Sequence, residues 1–278
     1  MGLFLFLAII VEYLPDPSTG SILRVAMTAV FITGASSGLG RALAWRYARS
    51  GARLGLVARR GQALRELADE LPGEHLCYAL DVRDRDALHA AARDFLAANE
   101  GRVDVVIASA GISAGTLTEY TEDFDVFKAI VDTNLLATVA TFEPFIESMK
   151  RAQKGRLVGI ASVAGIRGLP GAGAYSSSKA AVITYCESLR LELASAGVNV
   201  VTIAPGYVKT AMTEKNPYGM PFLMEADAFA ARAQVAIERG VSYTVIPWQM
   251  GVVSRLMRML PNWVYDRAAR NAPRKPRR

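Results

Sequence analysis

The chain has 278 residues, 51% of them hydrophobic, enough to bury the core of one large α/β domain. Two cysteines and two histidines leave no metal-ligand cluster: Cys77 and Cys186 share no zinc or redox spacing, and His75 and His89 read as residues opening a strand and lying on a helix. The net charge of +6 sits at one end, because residues 252–278 hold eight Lys or Arg against Asp266 alone, which leaves the remainder at −1. A basic tail is not a nucleic-acid motif, so no nucleic-acid partner is expected. Reduced, cytoplasmic conditions fit the cysteine usage.

Residues 3–11 form an unbroken apolar run, too short for a spanning helix, which needs about 17–25 residues. Glu12, Pro15, Asp16 and Pro17 follow, and neither a positive start nor a cleavage site of a signal peptide is present. Three readings stand: a short membrane-touching helix, a segment packed on the domain or a partner, or an extension ahead of a true start at Met27. The catalytic domain is expected over 27–250.

Ala29–Thr33 reads as a buried strand, followed at once by Gly34, Gly38 and Gly40, and then by a helix over 41–50 that stops at Gly51. Strand, glycine-rich turn and helix make a dinucleotide cradle: glycines let the backbone approach a pyrophosphate, whose charge sits on free N–H groups at the helix start. The spacing is Gly-x3-Gly-x-Gly rather than the usual Gly-x-Gly-x2-Gly. The next strand, Arg53–Ala58, ends in Arg59-Arg60, where a carboxylate for a ribose 2′-hydroxyl would otherwise stand. Guanidinium groups match a 2′-phosphate, with the Ser36 and Ser37 hydroxyls beside them, so NADP(H) is expected over NAD(H).

Further strands are expected over 103–108, 155–162 and 198–204, with helical stretches between them. This pattern predicts a doubly wound parallel sheet covered on both faces. Ser162 closes the second of these strands, at the carboxyl end of the sheet. A helix over 174–196 ends at Gly197 and carries Tyr175 and Lys179 four residues apart, on one face. A nearby ammonium is expected to lower the tyrosine pKa and suit it to proton transfer. Cys186 falls on the same helix as a small buried hydrophobe.

Residues 211–239, with Met212, Pro217, Met220, Phe222, Met224 and Phe229, suit an adaptable apolar pocket, joined by Val245-Ile246-Pro247-Trp248. Past 250, Val253, Leu256, Met257 and Leu260 make a helical apolar stripe with Arg255 and Arg258 off it; Pro261, Trp263 and Tyr265 follow. This basic segment, 251–278, either lies on an anionic membrane surface or packs across the substrate pocket or a subunit contact.

On these motifs the chain resembles the short-chain dehydrogenase/reductase family from about Thr28 to Ile246. Thr33 to Gly40, including Leu39, matches the family's glycine turn. Asp81-Val82 matches its adenine-facing acid, and Ser109-Ala110-Gly111 stands where the family has Asn-Ala-Gly. Asn134 matches the asparagine of the fourth helix, and Ser162, Tyr175 and Lys179 match the serine, tyrosine and lysine. Pro205, Gly206, Val208 and Thr210 match Pro-Gly-x-Val-x-Thr, and Arg59 matches the basic position of NADP-preferring members. Ser109 is a departure that puts a hydrogen bond of the central sheet in doubt.

The resemblance implies hydride exchange between NADP(H) and a carbonyl or secondary alcohol. Tyr175 would be the acid or base, Lys179 would bind the nicotinamide ribose and tune Tyr175, and Ser162 would hold the substrate oxygen. Asn134 would hold a water that relays protons from Lys179. It also implies that 211–239 is a lid and that the chain assembles as a homodimer or homotetramer. The pocket composition suggests a lipophilic ketone or oxoacyl-type substrate. The alternatives are a non-catalytic NADP-binding sensor on the same fold and a membrane-associated interaction protein; neither accounts for the full set of four residues.

Overall fold

The computed structural model describes residues 27–214, 216, 219–270, 272 and 274–277; the apolar run 3–11 and Pro217 lie outside them. Seven strands form one sheet: β1 Ala29–Thr33, β2 Arg53–Ala58, β3 Leu76–Ala79, β4 Val105–Ala108, β5 Gly155–Ile160, β6 Val198–Pro205 and β7 Tyr243–Ile246. Their order is β3-β2-β1-β4-β5-β6-β7, and all neighbours are parallel. The expected doubly wound fold is therefore present.

The central strands are continuously apolar because successive side chains enter different cores. In β1, Val30 and Ile32 pack with helices α1 (Gly38–Arg49), α2 (Gly61–Glu70) and α7 (Ala226–Glu238). Ala29 and Phe31 pack on the other face with α3 (Arg85–Ala97), α5 (Ala137–Ala152) and α6 (Gly173–Leu193). Helix α4 (Asp123–Val131) runs into α5 through a π-helical segment, Asp132–Leu136. The stretch Asp123–Ala152 is long and apolar enough to cross a membrane, but half of its apolar window is buried inside the protein.

Several boundaries differ from the sequence expectation. Helix α1 starts at Gly38, three residues before Arg41, so the last two glycines of the turn belong to its first turn. Strand β5 ends at Ile160, so Ser162 lies just beyond the sheet, capping a short 3-10 turn. The helix expected over 174–196 is α6, closed by a 3-10 turn at Ala194–Ala196 and left-handed Gly197.

The expected lid 211–239 divides in two. Its second half is α7, whose Phe229, Ala230, Ala233 and Ile237 are core residues. Arg46 of α1 donates to Gln234 of α7, whose amide nitrogen donates to Ser50 just past the end of α1. Phe229 is thus fully buried against the sheet and absent from the substrate pocket. What remains is a loop closed at its base by pairing of Val208 with Met224.

Beyond β7 come α8 (Trp248–Met259) and α9 (Asn262–Ala269). The expected apolar stripe of Val253, Leu256, Met257 and Leu260 is not uniformly covered. Val253 and Met257 are half-buried, Leu256 and Leu260 are exposed, and the packed side is Met250, Gly251 and Ser254. Trp248, expected in the pocket, points outward at 68% exposure.

One aromatic cluster locks β1, β2, α3 and α5 together. The Phe31 ring lies 5.5 Å from Phe95 and 4.9 Å from Phe145. Gly55 makes the room: a Cβ there would stand 2.6 Å from both Phe31 and Phe95. Phe31→Ala is expected to cost about 3–5 kcal/mol, the usual range for emptying a buried aromatic site, read as a lower urea midpoint at unchanged slope.

Candidate active site

The sheet order turns outward in both directions between β1 and β4, and ligands of such sheets bind at the carboxyl ends beside this point. A cavity of about 550 Å³ lies there. One wall is the turn after β1. Gly34 has φ +69, and a Cβ on it would stand 2.8 Å from the backbone of Ala110. A Cβ on Gly40 would stand 2.3 Å from the Gly34 carbonyl oxygen. The two glycines therefore let the turn close against β4 and against the first turn of α1. That leaves Ser36, Ser37, Gly38 and Leu39 lining the cavity at a helix N-terminus, the geometry suited to a pyrophosphate.

Arg59 and Arg60 edge the cavity at the end of β2, both exposed. Arg60 Nη2 donates to the Ser36 carbonyl (3.4 Å) and hydroxyl (3.3 Å). Sequence reasoning placed the phosphate contact on Arg59; the structure ties its neighbour to the turn. Asp81 and Val82 line the adjoining wall. Arg83 grips the Asp81 carboxylate, with Nη2 at 2.6 Å, and holds its pKa below the usual range. Ala110, Gly111, Pro205, Gly206, Val208 and Thr210 complete the enclosure. Of the predicted site residues, Asn134 alone does not line it.

The three residues expected to carry proton transfer lie together. Ser162, Tyr175 and Lys179 all face the cavity. The Tyr175 hydroxyl is hydrogen-bonded to Ser162, whose Oγ also accepts from the Ala164 amide at 3.2 Å. Lys179 is 5% exposed and donates from Nζ to the Ile160 carbonyl at 2.8 Å. Its Nζ lies 5.9 Å from the Tyr175 ring centre. Burial pushes the ammonium down to about pKa 8. The expected lowering of Tyr175 is not found in this state: burial raises it, and the bond to Ser162 opposes the rise.

Asn134 stands behind this group, fully buried in the π-helical segment. Its Oδ1 accepts from the Ile112 amide (2.8 Å); its Nδ2 donates to the Ile112 carbonyl (3.1 Å) and to Ser178 Oγ (3.0 Å). Gly111 keeps open the space between Asn134 and the lysine: a Cβ there would lie 3.3 Å from Oδ1 and 3.5 Å from Lys179 Nζ. Sequence reasoning missed Ser178, although it adjoins Lys179, and missed Thr33. The Thr33 hydroxyl accepts from the Ser109 and Ala110 amides (3.2 and 3.4 Å), linking β1 to the end of β4. Ser109 thus takes part in this junction through its backbone.

Cys77 and Cys186 are free thiols. His75 directly precedes β3 and accepts the Leu54 amide, and His89 sits on α3 beside Glu143. Among the described residues, no three His, Cys, Asp or Glu side chains come together as a metal site.

Comparison with known proteins agrees with this geometry. Residues 28–219 match the profile of the family described as short chain dehydrogenase. An uncharacterized oxidoreductase of Myxococcus xanthus is 40% identical over 250 residues, covering 89% of this chain and 98% of that protein. A 2-dehydro-3-deoxy-L-rhamnonate dehydrogenase (NAD(+)) of a Sphingomonas species is 37% identical, covering 70% of this chain and 77% of that one. The solved structure of a short-chain dehydrogenase from Sphingobium yanoikuyae in complex with NADPH superposes with a TM-score of 0.71 at 27% identity, over 84% of this chain and 97% of that one.

The depressed pKa of Lys179 also bears on stability. Between about pH 8 and its ordinary value near 10.4, the unfolded chain holds this proton and the folded one does not. The lysine's burden on the fold is therefore full below pH 8 and fades as pH rises through that window. Lys179→Met is expected to unfold at higher denaturant than the parent at pH 7, with the gap shrinking by ~2–3 kcal/mol toward pH 10. A gap independent of pH would remove the buried-ammonium account.

Proposed function

The chain belongs to the short chain dehydrogenase family and is an oxidoreductase; from that premise we propose that it uses NADP(H) to interconvert a carbonyl and a secondary alcohol on a lipophilic body. The observation that carries the reading is the convergence of Ser162, Tyr175 and Lys179 at one end of a cavity whose other end is the glycine turn and the arginine pair. The relatives differ in cofactor by name, one carrying NAD(+) and one solved with NADPH. This chain has Arg59 and Arg60 after β2, with Arg60 drawn to Ser36, which favours a 2′-phosphate.

When bound, the dinucleotide supplies the hydride chemistry. The protein supplies protons and position. In reduction, Tyr175 gives its phenolic proton to the oxygen formed from the carbonyl, and the Ser162 hydroxyl donates to the same oxygen as charge develops. Lys179 remains an ammonium below about pH 8, the form that stabilises a phenolate. Asn134 borders the gap kept open by Gly111 and completes a route for reprotonation past Lys179. Met212, which lines the cavity, gives the lipophilic body a contact, and the exposed Phe222 and Leu223 of the same loop extend the apolar surface available to it.

We further propose that the enzyme works at an anionic membrane surface. Trp248, Val252, Leu256 and Met259 fall at helical spacing on the outward side of α8, and Trp263 on α9 is 74% exposed. Arg255, Arg258, Arg267 and Arg270 accompany them, all exposed. Pairing of two such faces would oppose like charges, whereas acidic headgroups would neutralise them and accept the tryptophans.

Three measurements test these readings. In fluorescence titrations NADPH should bind at least ~10-fold more tightly than NADH, with the difference lost in the Arg59→Ala, Arg60→Ala double variant. Tyr175→Phe should bind NADPH normally and lose ~10²–10⁴-fold in turnover. Equal affinity for the two cofactors would remove the 2′-phosphate site. For the surface, the protein should sediment with phosphatidylserine-containing vesicles and not with pure phosphatidylcholine, and Trp248→Ser with Trp263→Ser should abolish this. Binding unaffected by that pair would disprove the docking face.

A further inference from the structure

Residues 274–277 return to the catalytic end of the sheet as a strap. The Gly115 amide donates to the Pro276 carbonyl at 3.0 Å, and Gly115 pairs with Arg277 in a parallel bridge. The approach depends on glycine: a Cβ on Gly115 would stand 2.2 Å from the Lys275 carbonyl oxygen. Gly171, at φ +71 in the loop before α6, admits the strap on its other side, since a Cβ there would stand 3.1 Å from the Arg274 side chain. The Thr116 amide donates to the Gly171 carbonyl at 3.0 Å, so the strap, the loop after β4 and the loop before α6 lie side by side.

Arg277 anchors the strap. Its Nε donates to Asp123 Oδ2 at 2.9 Å, and its Nη2 donates to Asp123 Oδ1 at 3.1 Å and to Glu122 Oε1 at 2.8 Å. Its guanidinium lies 3.5 Å from the centre of the Tyr120 ring. Asp123 is the stronger partner: its side chain is 4% exposed against 67% for Glu122, and exposed pairs contribute little. A buried carboxylate that loses its cation is left uncompensated, which holds the strap in place.

The strap completes the ties of one loop, Ile112 to Leu117. Ile112 engages both polar atoms of the Asn134 amide, and Leu117 donates its own amide to Asp123. Ala114 is buried with Ile130 and with Ala174, the residue before Tyr175. On either side of Ala114 the partners come from the strap: Ser113 Oγ accepts from Lys275 Nζ at 2.8 Å, and Gly115 donates to Pro276.

We propose that Arg277 is a positioning residue for the reaction: by seating the strap it holds Ile112, and through Ile112 it holds Asn134 on the proton route past Lys179. The proposal rests on the carbonyl-reductase reading above. The strap does not line the cavity, so it acts on proton delivery and not on cofactor binding. With the strap unseated, the Asn134 amide loses its fixed orientation, Tyr175 regains its proton slowly, and that step comes to limit turnover.

The test uses the full chain with NADPH and trifluoroacetophenone, an activated lipophilic ketone, with turnover read as loss of nicotinamide absorbance in ordinary and heavy water. Arg277→Ala is expected to bind NADPH as the parent does and to lose about 10-fold in kcat, a part of the ~10²–10⁴-fold that positioned proton transfer contributes. Its solvent deuterium isotope effect on kcat should exceed the parent's, a ratio that a loss of folded protein alone would not move. Gly115→Ala, which displaces the strap from the loop side, should show the same isotope effect, and the double variant should be no slower than the slower single one. Gly115→Ala carries the test should Arg277→Ala fail to fold. Turnover at the parent's rate in both variants overturns the proposal, as does slower turnover with the parent's isotope effect. A parent that fails to reduce the ketone overturns the underlying reading instead, and this proposal with it.

Discussion

A charged lysine held inside the protein by one backbone carbonyl is the constraint around which the catalytic end is arranged. The Ile160 carbonyl that receives Lys179 is that of the last residue of β5, at the carboxyl end of the sheet. Helix α6 must start close by, and Gly165 permits it: a Cβ there would stand 2.7 Å from the Lys179 backbone. Gly111 yields space on the remaining side. An uncompensated buried charge is unfavourable, and such sites persist where chemistry needs them. The two hydrophobic cores of the sheet supply the stability that offsets this burden.

Much of this arrangement is legible in the sequence because it rests on local rules. Tyr175 and Lys179 share a face by helical spacing, and the strands show themselves as apolar runs because both sheet faces are covered. The glycine turn is visible because only residues without a Cβ fit its approaches. Other features depend on contacts distant in sequence. Asn134 sits in a π-helical segment whose side-chain bonds reach Ile112 and Ser178, and no local pattern foretells that. Phe229 and Met212 are equally apolar in sequence, yet one is core and the other lines the cavity. The start of α1 at Gly38 runs against helix propensity, since tertiary closure of the turn overrides it. The strap has neither periodicity nor a motif, so its docking appears only in three dimensions.

The basic C-terminal end divides its charge between separate tasks. Arg277 is spent on Glu122 and Asp123, and Lys275 stands beside Tyr175. The arginines of α8 and α9 face solvent. Between these groups, Arg167 joins the helices to the domain: it donates to the Arg258 and Leu260 carbonyls at 3.1 Å each and stacks over Tyr265. The outward apolar face is therefore tied to the loop between β5 and α6.

The position of the arginine pair has a consequence for how such enzymes diversify. Strand β2 is packed through Leu54, Leu56 and Val57, but Arg59 and Arg60 stand past its end, exposed, with no core contact to lose. Exchange at these two sites changes the charge at the edge of the cavity while leaving both cores untouched. Under the proposed NADP(H) reading, dinucleotide preference is therefore adjustable without cost to the fold. Gly34 and Gly40 have no such freedom, since any side chain there meets backbone. The turn is the sterically fixed part of the cavity wall, and the two residues after β2 are its adjustable part.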